Sequence, residues 1–314
     1  MYHFIVNPAS RSGKGIKIWK KQVEPVLLSK NIPYQVHFSE RPGHTAVLAR
    51  KILSSSEVLP VSLVILGGDG TVNEALQGID DTSGVVLGYI PTGSSNDLAR
   101  DLKIPKKPAE ALQLILRCPR PTPMDLGTVT YSDGEKRRFA VSCGIGFDAA
   151  VCQEALHSTL KNAMNKIGLG KLTYLGIALK QLMAAGAVSG TLTPEDSSPI
   201  TVNNMLFTAC MLHRFEGGGF MFAPDADARD GILNMCTAGG LSKLKILVAL
   251  PSAFRGKHFR FRGITPSSAR RLVIETSVPL WVHTDGEVSR KSSRITVSCQ
   301  QDSILFLCPD SDDL

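Results

Sequence analysis

The chain has 314 residues, 43% of them hydrophobic and 20% charged, which suits two ordinary globular domains and excludes a disordered or fibrous chain. Its longest apolar runs, such as Val61 to Leu66, fall far short of the roughly 20 residues that cross a bilayer, and Met1 to Pro8 reads as a strand, not a secretory signal; a cytosolic protein is expected. Seven scattered cysteines without C-x-x-C spacing exclude a disulfide framework or a zinc finger, and a net charge of +7 predicts an anionic partner: nucleotide, nucleic acid or a membrane face.

The first hundred residues alternate strand and helix. Tyr2–Asn7 reads as a strand, Lys17–Lys30 as a helix, Tyr34–Ser39 as a strand and Thr45–Ser54 as a helix, with further strands from Val61 and over Val85–Ile90. That rhythm predicts an α/β domain whose parallel sheet binds ligands at the carboxyl ends of its strands. The loops expected there are Pro8–Gly15, Pro42–Thr45, Gly67–Thr71 and Pro91–Asp97, each with small, hydroxyl or glycine residues opening a helix, as a phosphate rim requires. Thr45 and Ser95 read as N-caps or ligand contacts; Asn96 and Asp97 are harder to explain as caps.

The run Leu63 to Leu76 is the most specific of these stretches. Gly67, Gly68 and Gly70 are expected to adopt positive φ and let backbone N–H groups reach an anion. The carboxylate they frame, Asp69, makes sense beside phosphate only with a divalent cation or a reacting hydroxyl next to it. Thr71 and Glu74 read as a capping box. No G-x-G-x-x-G follows a strand and no G-x-x-x-x-G-K-[ST] occurs, so neither a Rossmann fingerprint nor a Walker A loop accounts for the motif.

Strand breakers at Pro119–Pro123 mark a boundary, giving domains over 1–123 and 124–299. Beyond it, short and mostly antiparallel strands are expected at Thr128–Tyr131, Arg138–Cys143, Asn204–Leu212, Leu233–Thr237, Arg271–Glu275, Leu280–His283, Ile295–Cys299 and Ile304–Leu307. Helical spacing links Leu156, Leu160, Met164 and Ile167, and again Leu172, Leu175, Leu179 and Leu182; these pack on the sheet or meet a membrane. Arg255–Arg262 alternates cations with aromatics and fits lipid headgroups, single-stranded nucleic acid or a half-buried edge strand. Asp225, Asp227 and Asp230 crowd one loop, as a cation site or a D-G hairpin turn. In His283–Glu287 a strand ends in a turn bearing Asp285 and Glu287, either a plain hairpin or a carboxylate able to take a proton from a hydroxyl. Asp310–Asp313 reads as a frayed terminus.

Together, Asn7-Pro8 with its Gly-rich loop, Gly67-Gly68-Asp69-Gly70-Thr71 with Asn73-Glu74, Pro91 to Asp97, Asp230-Gly231 and Asp285-Gly286-Glu287 resemble, over nearly the whole chain, the soluble bacterial diacylglycerol kinases and related lipid kinases, including sphingosine and ceramide kinases. The resemblance implies an NAD kinase/diacylglycerol kinase-like nucleotide domain, a C-terminal β-sandwich-like domain, a last strand near 300–314 returning to the first domain, and ATP between the two. It implies that Asn7, Ser39, Thr45, Gly67, Gly68, Asp69, Gly70, Thr71, Asn73, Ser94 and Asn96 form the nucleotide site, with Asp69 and Asp97 near Mg2+ and the phosphates. Glu287 is then the general base, helped by Asp285, and a second Mg2+ sits on the Asp227 carbonyl, the Asp230 carboxylate and the Ile232 carbonyl. The loop after Asn7-Pro8 is longer than the family's common form, and Ser94 stands where many members carry Thr. The expected partners are ATP, Mg2+ and a lipid acceptor at the inner membrane face, where the protein is peripheral, and no nucleic acid; a homodimer stays open. The alternatives are NAD-kinase-like phosphorylation of a soluble acceptor, for which the Gly67–Thr71 motif is shared, and a non-catalytic nucleotide sensor or nucleic-acid binder.

Overall fold

The computed structural model describes residues 1–118, 120–157, 170–186 and 188–309. The chain divides into two compact units, one formed by Met1–Leu126 with the C-terminal segment from Gln301, the other by Gly127–Gln300.

In the first unit the strands are β1 (Tyr2–Val6), β2 (Tyr34–Phe38), β3 (Val61–Gly67) and β4 (Val85–Pro91). β1 pairs with β2 and β3, and β3 with β4, all in parallel. Val6 lies opposite both Phe38 and Leu66, and Leu66 opposite Ile90, so the strand ends are level and their following loops share one edge. β3 is buried along nearly its whole length, which is why its sequence is a continuous apolar run and not an alternation. Phe4, Trp19 and Tyr34 form an aromatic cluster, with Phe4 and Trp19 centroids 5.0 Å apart.

The helix expected at Lys17–Lys30 spans Gly15–Ser29 but is broken by a π turn over Trp19–Val23. Pro25 in the turn that follows has no N–H to continue the α ladder, and the chain shifts register at that point.

The second unit is antiparallel. After β5 (Thr122–Tyr131) and β6 (Lys136–Phe139) come β7 (Ser142–Gly146), β8 (Gly190–Pro194), β9 (Ile200–Val202), β10 (Met205–Met211), β11 (Leu233–Gly239), β12 (Ile264–Ala269), β13 (Arg271–Thr284) and β14 (Glu287–Leu307). The order β12-β11-β10-β7-β13-β14 is antiparallel throughout, with β8 adding to β13 and β9 to β8. Its core includes Val129, Phe139, Ile145, Leu212, Leu233, Leu272, Val282 and Ile295.

Several expectations change here. Arg271–Glu275 and Leu280–His283 are one strand whose register slips between Glu275 and Leu280, around Pro279, which cannot donate to the ladder. Ile295–Cys299 and Ile304–Leu307 are likewise two stretches of the 21-residue β14, whose closing residues Leu305–Leu307 belong to the first unit and pair there in parallel with Val86–Gly88. Arg138–Cys143 is split by a bend at Ala140–Val141. The strands β8, β9 and β12 and a helix at Lys243–Ala253 were not anticipated. Arg255–Arg262 is no edge strand: it is a turn with a 3-10 segment at His258–Arg260, because Gly256 takes φ +65° and the His258 ring folds inward to the Phe222 carbonyl at 3.2 Å. Of the helical leucine pattern, Leu156 lies in a helix over Phe147–His157, and Leu182 is buried in a helix over Gly170–Ala184. Leu160, Met164, Ile167, Pro119, the Asp310–Asp313 tail and the side chains of Leu172 and Leu175 fall outside the described residues.

Candidate active site

On the carboxyl edge of the parallel sheet, none of Gly67, Gly68 and Gly70 adopts positive φ; Gly68 has φ −102° and ψ −178°. These glycines serve close approach instead. A Cβ on Gly93 would stand 2.6 Å from the Gly68 Cα and 2.8 Å from Asn96 Oδ1, and one on Gly67 would meet Thr71 Oγ1 at 2.4 Å. The turns after β3 and β4 are therefore pressed backbone to backbone, which only residues without side chains permit.

The helix after β3 runs over Asp69–Leu76 with Gly68 as its N-cap. The expected capping box shifts by one turn: Thr71 is the N3 residue, and its Oγ1 accepts from the Gly68 N–H at 3.4 Å and from Asn7 Nδ2 at 3.0 Å. Glu74 sits a turn later, its Oε1 buried with no hydrogen-bond partner among the described residues. The helix starts earlier than its first β-branched residue suggests because Gly68 itself supplies the extended cap conformation.

Asp69 is held on both oxygens. Its Oδ2 accepts the Asp97 backbone N–H at 2.9 Å, and its Oδ1 lies 3.3 Å from the hydroxyl of the fully buried Tyr89. Burial pushes the Tyr89 phenol well above its ordinary range, helped by the Asp69 and Asp97 charges, so it stays a neutral donor. That hydroxyl also lies 3.0 Å from Asn96 Oδ1, which accepts the Gly93 N–H at 2.9 Å while Asn96 Nδ2 returns a bond to the Gly93 carbonyl at 2.9 Å. Asn96, at φ +51°, is the N-cap of a short helix over Asp97–Asp101, so the expected cap at Ser95 is displaced by one residue. Asp97 is buried, with Oδ1 3.4 Å from Arg100 Nε. The Asp97 backbone N–H thus ties the turn after β3 to the helix after β4 through the Asp69 carboxylate.

Around them, Asn7 Oδ1 accepts the Ala9 N–H at 3.0 Å, and Thr92 Oγ1 donates to Ser10 Oγ at 3.0 Å. Arg11, Ser12 and Gly13 take positive φ in succession, so two non-glycine residues of this loop sit in a costly conformation. Ser94 is exposed, and the Ser39 N–H donates to the Val6 carbonyl at 3.0 Å. Thr45 and Asn73 have no exposed surface, which puts them beneath the rim. Gly43, at φ +84°, caps the helix over His44–Ser55, so Thr45 is its second residue and not the cap. Sequence reading passed over Asp125, a buried residue of β5 whose Oδ1 accepts the Asp302 N–H at 2.9 Å; an isolated Asp in an apolar strand gives no pattern to detect.

In the second unit, Asp285 (φ +51°) and Gly286 (φ +83°) form the two-residue turn joining β13 to β14, as the D-G signal foresees. The Asp285 carboxylate accepts three backbone N–H groups, from Ala140 at 2.9 Å, Val141 at 2.7 Å and Ser142 at 3.0 Å. It clasps the hairpin tip to the bend between β6 and β7. Glu287, half-buried, opens β14 opposite Thr284.

Beside this turn lies a cluster that sequence reading missed. The fully buried His283 places Nε2 3.3 Å from Asp148 Oδ2 and 3.1 Å from Glu216 Oε1, while Nδ1 accepts the Gly286 N–H at 3.1 Å. Gly144 makes room for it: a Cβ there would stand 1.9 Å from Asp148 Oδ2. Three residues spread over 136 positions carry no spacing signal. Among the described residues this is the one group of three His, Cys, Asp or Glu side chains whose ligand atoms lie within 4.8 Å of each other.

The carboxylates of Asp225, Asp227 and Asp230 form no such group. Asp230 Oδ1 accepts the Ile232 N–H at 2.8 Å and Asp227 Oδ1 pairs with Arg229 Nε at 3.2 Å. All seven cysteines are free thiols.

Residues 1–129 match the diacylglycerol kinase catalytic domain, and residues 141–303 match the YegS C-terminal NAD kinase beta sandwich-like domain. The chain belongs to the diacylglycerol kinase family of lipid-kinase-type proteins. It is 29% identical over 294 residues to YtlR of Bacillus subtilis, provisionally named a lipid kinase, covering 91% of this chain and 93% of that one. It is 28% identical over 246 residues to a diacylglycerol kinase of Mycobacterium tuberculosis, covering 78% and 76% of the two chains. In fold it is similar to a diacylglycerol kinase structure from Bacillus anthracis, with a TM-score of 0.72 at 19% identity over 99% of this chain and 97% of that one. An NAD kinase of Archaeoglobus fulgidus solved with ATP shares the fold more distantly, with a TM-score of 0.52 at 12% identity over 98% and 93%.

Proposed function

We propose that the protein is an ATP-dependent lipid kinase that transfers the γ-phosphate to the free hydroxyl of diacylglycerol or a similar lipid. The observation that carries this reading is the Asp69–Asp97 pair, fixed on the carboxyl edge of a parallel sheet beside two glycine turns in backbone contact. In it, Asn7, Ser39, Gly67, Gly68, Gly70, Thr71, Ser94 and Asn96 form the rim that receives the nucleotide, with Thr45 and Asn73 supporting it from below. Asp69 and Asp97 hold Mg2+, which when bound neutralises charge on the phosphates. Glu287 removes the proton from the acceptor hydroxyl as the new O–P bond forms and the bond to the β-phosphate oxygen breaks, releasing ADP. Asp285 fixes the turn that presents Glu287. The Asp227 and Ile232 carbonyls with the Asp230 carboxylate hold a second, structural Mg2+.

The acceptor side rests on a surface of the second unit. On the helix over Lys243–Ala253, Leu244 and Val248 are 71% and 61% exposed, and Phe254 just beyond is 51% exposed. Residues 241–263 contain six Lys or Arg and no Asp or Glu. Exposed apolar side chains in a stretch rich in cations suit the anionic surface of a bilayer, where the apolar groups enter the headgroup boundary. We read this as peripheral attachment to the cytoplasmic membrane face; no helix of the described residues is long and apolar enough to cross a membrane.

The test is transfer of labelled γ-phosphate from Mg-ATP into an extracted lipid mixture in mixed micelles, with NAD in a parallel tube and Glu287→Gln as control. A labelled lipid absent from the control supports the reading. Label in NAD alone overturns it in favour of a soluble acceptor, a reading the distant fold likeness to an NAD kinase keeps in view.

A further inference from the structure

The turn that presents Glu287 is held from two sides, and the second holder is a histidine that neither the family motifs nor the sequence pattern singles out. A backbone N–H can only donate, so the Gly286 N–H at 3.1 Å fixes His283 Nδ1 as an acceptor. The ring proton then belongs to Nε2, which faces Asp148 Oδ2 at 3.3 Å and Glu216 Oε1 at 3.1 Å. A ring rotated by 180° would put carbon atoms against both the carboxylates and the amide, so tautomer and orientation are set together.

The same geometry decides against a metal centre. With the Nδ1 lone pair engaged by an N–H and Nε2 carrying the proton, the ring has no lone pair left for a cation. Burial raises the Asp148 carboxyl above its ordinary range, opposed by the His283 ring.

We propose that His283 is a positioning residue for the general base: its Nδ1 holds the Gly286 amide and so fixes the hairpin turn that leads into Glu287. Asp285 grips the bend at Ala140–Ser142 on one side of the turn; His283 grips the backbone on the other. This double hold explains how Asp285, a non-glycine residue, is kept at φ +51°. The inference rests on the reading of Glu287 as the base.

Two variants separate the two ends of the ring. His283→Asn keeps an oxygen where Nδ1 stands and loses contact with the carboxylates; His283→Gln keeps a donor near the Nε2 position and loses the acceptor for Gly286. Amide hydrogen exchange over 284–288 and steady-state transfer kinetics are measured on the full chain. Expected are slow Gly286 exchange in the wild type, retained in Asn and faster by about tenfold in Gln, with kcat following the same order and KM values within about twofold. Asp148→Asn, which keeps an acceptor for Nε2–H, should preserve most of both readouts. Equal loss in Asn and Gln, or Gly286 exchange indifferent to either, overturns the proposal. If the wild-type chain labels no lipid, the kinase reading falls, while Gly286 exchange still decides whether His283 holds the turn.

Discussion

Asp69 and Asp97 are joined by a hydrogen bond from the Asp97 backbone N–H to Asp69 Oδ2 at 2.9 Å, so the turn after β3 and the helix after β4 cannot move apart without uncovering a carboxylate. Asp69→Ala removes this bond and the acceptor near Tyr89. The expected cost is about 1–3 kcal/mol of stability, with kcat/KM down by a factor on the order of 100 or more and half-maximal activity moved to higher Mg2+. A Mg2+ titration of lipid phosphorylation, beside a melting curve, checks it.

Gly93→Ala tests the backbone contact. The new methyl would stand 2.6 Å from the Gly68 Cα, with backbone on the opposing side that cannot swing away. A loss of roughly 1–3 kcal/mol and of nucleotide affinity is expected. Gly176→Ala, in an exposed helical position with nothing within 4 Å, serves as control and should be neutral or stabilising by up to about 1 kcal/mol. Equal melting shifts for the two would contradict the contact.

Glu287→Gln preserves shape and removes the base. Transfer should fall on the order of 100-fold or more while ATP affinity, measured by calorimetry, stays within about twofold. Loss of ATP affinity in proportion to turnover would remove Glu287 from the role.

Thiol titration carries a pH prediction. Burial pushes Cys143, Cys210 and Cys236 well above the ordinary thiol range, so in the folded protein they remain protonated and unreactive from neutral pH through pH 9. Cys118, Cys152 and Cys299, partly exposed, should supply the native reactivity toward a disulfide reagent, with the buried thiols appearing only on unfolding.

Leu244→Glu combined with Val248→Glu should lower cosedimentation with vesicles rich in anionic lipid by about tenfold or more and leave phosphorylation of a micellar acceptor nearly unchanged. Unaltered vesicle binding would move the attachment surface elsewhere.

The alternating strands and helices of the first hundred residues were legible because β3 and β4 are apolar runs ended by glycine or proline and the helices between the strands imply parallel pairing. Sequence reading expects Gly67, Gly68 and Gly70 to take positive φ and admit an anion, whereas the structure shows a close backbone contact: whether a glycine turns the chain or clears space depends on its neighbour, here Gly93, 25 positions beyond Gly68. In the second unit, Pro279 and Asp302 look like strand ends, yet cross-strand pairing carries β13 and β14 past them. The His283 cluster was illegible for a related reason, since Asp148, Glu216 and His283 meet only once three separate elements are packed.

β14 carries a consequence for biosynthesis. It opens with Glu287, and its closing residues Leu305–Leu307 pair with Val86–Gly88, so the edge of β4 waits uncovered until those residues have left the ribosome. Ile304, Phe306 and Leu307 are buried when it closes. A ribosome stalled before residue 304 would hold a chain that has every nucleotide-side motif and a raw sheet edge, the kind of nascent species that chaperones hold back from pairing with its neighbours on a polysome.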